Sequence, residues 1–178
     1  MDTNAIHLRA VELADLPFTR RCRNDPAIHI PALGRRFPIT DVGEDAWYRS
    51  LGQGSPPAEV TYIVARRDDD APIGLTTLRQ IDWINRTAMF GLWIAPDAQG
   101  NGVGKAATVQ MLSIGFGRLN LRKIALEVLA SNERAVSMYR GVGFSEEGRY
   151  LEQVFVDGKY DDVIRMALTA HSAHLPEG

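Results

Sequence analysis

The chain has 178 residues, 45% of them hydrophobic and 24% charged, with a formal net charge of -2. That is enough chain for one soluble domain with a real core, and the near-neutral balance gives no basic face for nucleic acid. The single cysteine, Cys22, excludes an internal disulfide and a cysteine-based metal site.

No apolar run reaches the roughly 18 residues that a membrane span needs. The start, Met1-Asp2-Thr3-Asn4, has no basic stretch leading into an apolar one, so a reducing cytoplasm is the expected compartment.

Ile6, Leu8 and Ala10 alternate with polar neighbours and predict an opening strand. Leu13, Leu16 and Arg20 to Cys22 follow at helical spacing and end near Asn24-Asp25-Pro26. Ile28 to Thr40 reads as loop around Pro31 and Pro38, and Glu44 to Leu51 as a short helix. Val60 to Ala65, Ile73 to Ile81 and Thr87 to Ile94 are β-prone runs, with Asp68-Asp69-Asp70 as a solvated hairpin tip. A long amphipathic helix is expected over Gln99 to Leu119, then a strand over Lys123 to Leu129 and a helix over Asn132 to Gly141. Strands at Tyr150 to Val156 and Tyr160 to Leu168 flank Asp157-Gly158, which suits a type I′ turn. The order β-α-α-β-β-β-α-β-α-β-β predicts an α+β fold on one sheet, with a single domain over residues 1–170 and a frayed tail over 171–178.

The glycine loop at Gln99-Gly100-Asn101-Gly102-Val103-Gly104 is the strongest chemical signal. It lies between a strand and a helix. Glycines let backbone come close to an oxyanion, and the helix N-terminus adds partial positive charge. A phosphate or pyrophosphate is the expected guest; the bland reading is a glycine-rich helix start with no ligand. A nucleotide P-loop requires Gly-x-x-x-x-Gly-Lys-Ser/Thr, but Gln99 stands at the first glycine and Ala106 at the hydroxyl. The dinucleotide fingerprint fits Gly102-x-Gly104-x-x-Ala107, with Glu127 as the ribose acid. That fingerprint opens a multi-unit parallel sheet, and too little chain follows for one.

Gln99-x-x-Gly102-x-Gly104 is similar to the Gln/Arg-x-x-Gly-x-Gly/Ala signature of the GNAT superfamily of N-acetyltransferases. The segment from Asn132 through Ala135 and Tyr139 to Gly143-Phe144 resembles the family's second motif, at the family's distance. The resemblance to the subgroup of ribosomal-protein N-terminal acetyltransferases and bacterial spermidine acetyltransferases covers nearly the whole chain. It includes Arg23 to Pro26, Ile84 to Arg86 and Gly158 to Met166.

The resemblance implies a mixed, mostly antiparallel sheet flanked by helices, with a splay between the fourth and fifth strands. It also implies acetyl-CoA as cosubstrate. Backbone groups of Gln99, Gly100, Asn101, Gly102, Val103, Gly104, Lys105 and Ala106 would hold the pyrophosphate. Ile94 and Ala95 would pair with the pantetheine arm, and an N–H there would face the thioester oxygen. Asn132 would touch the pantetheine or cap its helix. No metal is implied.

Direct attack of an amine on a thioester needs a neutral amine and a proton for the departing thiolate. Tyr139 is the general-acid candidate, since the matching family tyrosine often faces the coenzyme sulfur; its bland reading is a packed helix tyrosine. Many relatives carry Glu where this chain has Met89, so the usual carboxylate is missing. Glu127 and Asp82 are substitute bases, and a water chain to bulk is a third option. His7, His29, His171 and His174 do not cluster as metal ligands. Arg20, Arg21 and Arg23 read as a solvated face.

The predicted activity is acetylation of a primary amine: a polyamine, a protein or peptide N-terminus, an amino sugar or an antibiotic amine. A polyamine would require carboxylates, for which Glu44, Asp45, Glu146, Glu147 and Glu152 are available. The competing class is a non-catalytic acyl-CoA-binding regulatory module. A homodimer or larger homo-oligomer is expected, since relatives are often oligomeric.

Overall fold

The computed structural model describes residues 5–33 and 37–173. Met1 to Asn4, residues 34–36 of the expected loop, and His174 with the last residues of the tail lie outside the described residues. In chain order the elements are β1 Ile6–Arg9, α1 Leu16–Arg23, α2 Pro26–His29, α3 Asp41–Ser50, β2 Val60–Arg66, β3 Pro72–Asp82 and β4 Thr87–Ile94. They continue with α4 Val103–Ser113, β5 Lys123–Leu129, α5 Glu133–Val142, β6 Ser145–Val156 and β7 Lys159–Thr169.

Three boundaries differ from the sequence reading. The proline-rich loop holds α2, because Asp25 caps it by accepting from the Ala27 N–H at 2.9 Å and Pro26 sits at its first turn. The helix expected from Gln99 starts at Val103, since Gly100, Asn101 and Gly102 all have positive φ; it passes into a π-helical turn over Ile114–Arg118. The strand expected from Tyr150 starts at Ser145, on an exposed edge where charged residues leave no alternation to read.

The strands form one seven-stranded sheet in the order β1-β2-β3-β4-β5-β7-β6. Every neighbour pair is antiparallel except β4–β5, which is parallel. Only Thr87–Lys123, Ala88–Ile124 and Met89–Ala125 pair across β4 and β5, although the strands run on to Ile94 and Leu129. The expected splay is therefore present, opening at Phe90.

Strand alternation divides the sheet into two faces. Ala88 and Phe90 of β4, with Ile124, Leu126 and Val128 of β5, pack against Met111 and Leu112 of α4 and Tyr139 of α5. Leu92 and Ile94 meet Ala106 and Ala107 of α4. Gly115 lets the helical segment come down on the sheet: a Cβ there would stand 2.6 Å from Ile124 Cδ1. On the other face Trp93 packs with Phe18 of α1 and Ile28 of α2, and shares with Trp47 of α3 the cluster of Val11, Ile63, Ala65 and Leu75. So α4 and α5 cover one face, and α1 to α3 cover the other.

The Asp157-Gly158 turn has φ of 48° and 83°, as a type I′ hairpin requires. Its strands carry exposed Tyr150, Leu151, Phe155 and Tyr160. The aspartate tip is not simply solvated: Asp69 pairs with Arg66, and Asp70 contacts His7 and Arg9. Among the described residues no helix is long and apolar enough to cross a membrane.

Candidate active site

The glycine loop leaves backbone donors unused. Val103 N–H donates to the Gly100 carbonyl at 3.2 Å and Ala106 N–H to the Gly102 carbonyl at 2.9 Å. The N–H groups of Asn101, Gly102, Gly104 and Lys105 find no acceptor among the described residues. The helix N-cap is Gly102, which has no side chain to supply one. Four free donors at the positive end of an eleven-residue helix make an anion cradle. Gly100 and Gly102 are required by φ values of 87° and 76°. Gly104 is not required by packing, since a Cβ there would meet only Leu92 Cδ2, at 3.8 Å.

The loop closes onto the end of β4 through Gln99, whose Nε2 donates to the Ile94 carbonyl at 3.0 Å. Ala95 N–H donates to the Ile73 carbonyl on β3 at 2.8 Å, and Thr76 Oγ1 reaches the Gly91 carbonyl from the same strand. Alternation then turns the N–H groups of Leu92 and Ile94 toward β5, where the ladder has ended. So Ile94 presents a free N–H to the slot. Ala95 does not, because β3 already holds its N–H.

Tyr139 lies where the slot opens. Its ring meets Phe90, the first β4 residue beyond the last β4–β5 pair, edge-on at 6.1 Å, and Phe144 at 5.8 Å. Its hydroxyl has no hydrogen-bond partner among the described residues and is not sealed from solvent. Burial pushes the phenol up to about 12, because the phenolate would be desolvated. Asn132 accepts from the Ala135 N–H at 3.2 Å and so caps α5.

The substitute bases are otherwise engaged. Glu127 lies on β5 with its side chain on the face opposite Tyr139, and Arg165 on the facing strand donates to it at 3.3 Å. Asp82 accepts from the Ile84 and Asn85 backbone and from the Asn85 side chain. The Asn85 backbone N–H is the main reason its carboxyl is held below the usual range. It pairs with Thr87 at the far end of β4, roughly 20 Å from Ile94 by strand rise. Asp82 is therefore a turn cap, and its reading as a base is withdrawn. Met89 packs with Ala125 and Ala167 on the Glu127 face.

On that same face lies a cavity of about 990 Å³ between α2, residues 37–40, α3 and Val154 of β6. Two of its neighbours reach the slot. Ile28, beside the lining residue His29, packs with Ala95, and the lining residue Trp47 packs against the same buried cluster as Trp93.

The model of the acetyltransferase (GNAT) domain matches residues 5–145. The chain belongs to the GNAT acetyltransferases. The acetyltransferase is 38% identical over 168 residues to the spermidine N(1)-acetyltransferase of Escherichia coli K12, covering 94% of this chain and 88% of that protein. A crystal structure of spermidine N-acetyltransferase from Vibrio cholerae in complex with CoA and spermine superposes with a TM-score of 0.87 at 32% identity, covering 94% of this chain and 97% of that one. A dodecameric structure of the Vibrio cholerae enzyme in an intermediate state gives 0.80 at 33% identity, covering 93% and 94%.

Sequence reasoning missed one network of the acetyltransferase. Arg23 is not on a solvated face: it donates to Glu44 at 2.8 Å and lies 4.4 Å from the Trp47 ring centroid. Glu44 is 1% exposed and also accepts from Thr19 at 2.6 Å, so it is spent inside the protein. Asp45 pairs with Arg49, Glu146 with Arg140, and Glu147 with Lys123. Of the carboxylates nominated for a polyamine, only Glu152 lacks such a partner among the described residues. The Arg23–Glu44 contact spans 21 residues, a separation that no local motif encodes.

Proposed function

We propose that this acetyltransferase moves the acetyl group of acetyl-CoA directly onto a primary amine. The carrying observation is the slot between β4 and β5, with a cradle of free backbone donors at one end and Tyr139 beside it. When bound, acetyl-CoA supplies an electrophilic thioester carbonyl. The loop donors and helix N-terminus bind its pyrophosphate, and the Ile94 N–H orients and polarises the thioester oxygen. Tyr139 donates a hydrogen bond to the departing sulfur. Helices α4 and α5 hold these groups on one face of the sheet, so the amine approaches from the α1–α3 face. The reading extends to a cytoplasmic homo-oligomer; the dodecameric relative supports the oligomer, and the exposed apolar residues of the β6–β7 hairpin supply its assembly surface.

The named relatives make spermidine and spermine the first acceptors to try, and a peptide α-amine the second. The test is release of coenzyme A thiol from acetyl-CoA with a panel of amines. Amine-dependent release is expected. Tight acetyl-CoA binding with no release for any amine would instead identify a non-catalytic acyl-CoA module.

A further inference from the structure

The acceptor-side cavity has an unexpected charge. Among the described residues its titratable lining is Arg23 and His29, with no aspartate or glutamate. The rest of the wall is largely apolar, with Ile30, Leu33, Phe37, Ile39, Trp47 and Val154. Of the acids nearby, Glu44 is closed off by Thr19 and Arg23 and Asp41 pairs with Arg20; Glu152, two residues before Val154 on β6, has no such partner among the described residues but does not line the cavity.

We infer that the acceptor is an amine with one charge on an apolar body, and that this cavity, not a carboxylate, favours its uncharged form. The inference rests on the acetyl-transfer reading and narrows its acceptor. A polyamine brings several ammonium groups, each of which must keep its water or find a carboxylate. This wall offers none. An apolar surround lowers the pKa of a single entering ammonium, so its proton leaves to solvent before reaction. The neutral amine nitrogen then attacks the thioester carbon, the carbon–sulfur bond breaks, and the nitrogen loses one proton. The thiolate gains one, so the products are an amide and a thiol. Such a site has no need of a base at Met89.

The experiment compares 2-phenylethylamine with spermidine, using the full chain and acetyl-CoA. The expected kcat/KM is at least 10-fold higher for 2-phenylethylamine. Ala46→Glu places a carboxylate on the cavity wall, at an exposed helical position where Glu is a good helix former. It is expected to shift the preference at least 10-fold toward spermidine. Ser50→Glu does the same from the end of α3 should the first variant fail to fold by thermal unfolding. Equal or better use of spermidine by the unmodified chain would overturn the inference while leaving acetyl transfer intact. An unmoved preference in both variants would overturn the cavity's assignment. Silence with every amine would sink the acetyl-transfer reading itself.

Discussion

Tyr139 holds its proton more tightly than the group it is proposed to serve. Its phenol sits at about 12, whereas a free thiol titrates near 8.5. Complete proton transfer is then uphill by roughly 3 to 4 units, about 5 kcal/mol, before the slot's effect on the thiolate is counted. In the proposed reaction Tyr139 is therefore a hydrogen-bond donor while negative charge grows on sulfur. We expect Tyr139→Phe to lower kcat by about 100-fold, the low end for acid–base groups, with the acetyl-CoA dissociation constant within twofold. Single-turnover kinetics with equilibrium binding checks both. The raised phenol also bears on stability. The folded state retains this proton up to about pH 12, while the unfolded state loses it near 10, so stability falls as pH rises between them. The loss is about 3 kcal/mol. Urea unfolding at pH 9 and 11.5 should show a shallower alkaline decline in Tyr139→Phe. The helical place of this residue was legible from the motif. Its burial was not, because Phe90 and Phe144 enclose it from separate elements.

At the scale of elements, periodicity located every strand and the four longer helices, because each buries one face and leaves the pattern in the chain. What it could not locate were pieces without a face. The four-residue α2 is set by its Asp25 cap, and the first residues of β6 are exposed on both sides. The loop before α4 was read as helix because glycine pattern carries no φ; three successive left-handed residues hold it open. Gly102→Ala places a Cβ on a backbone with φ of 76°, at a cost of about 1 kcal/mol or more. We expect a lower thermal midpoint and a raised KM for acetyl-CoA, with kcat for saturated enzyme less affected. An unaltered KM would mean that the loop does not hold the coenzyme.

For the whole molecule, the hairpin of β6 and β7 sets the outer edge. Leu151 is 73% exposed, beside Tyr150 and Phe155 on the edge strand, the kind of apolar surface that monomers rarely leave bare. Leu151→Lys should shift the elution of the native protein toward smaller species without loss of secondary structure by circular dichroism. The pairing of β4 with β5 has a different consequence. Three residue pairs are all that join β1–β4 to β5–β7 within the sheet. The sheet is thus two plates on a short hinge, held over one core by α4 and α5, and a ligand in the gap is a clasp between them. Such a clasp couples binding to the rigidity of both halves: at 100 times its dissociation constant coenzyme A should add about 2.7 kcal/mol to unfolding. Hydrogen exchange should slow on both sides of the hinge, in Leu92 to Ile94 and in Leu126 to Leu129 together. Protection of one strand alone would show that the plates move independently.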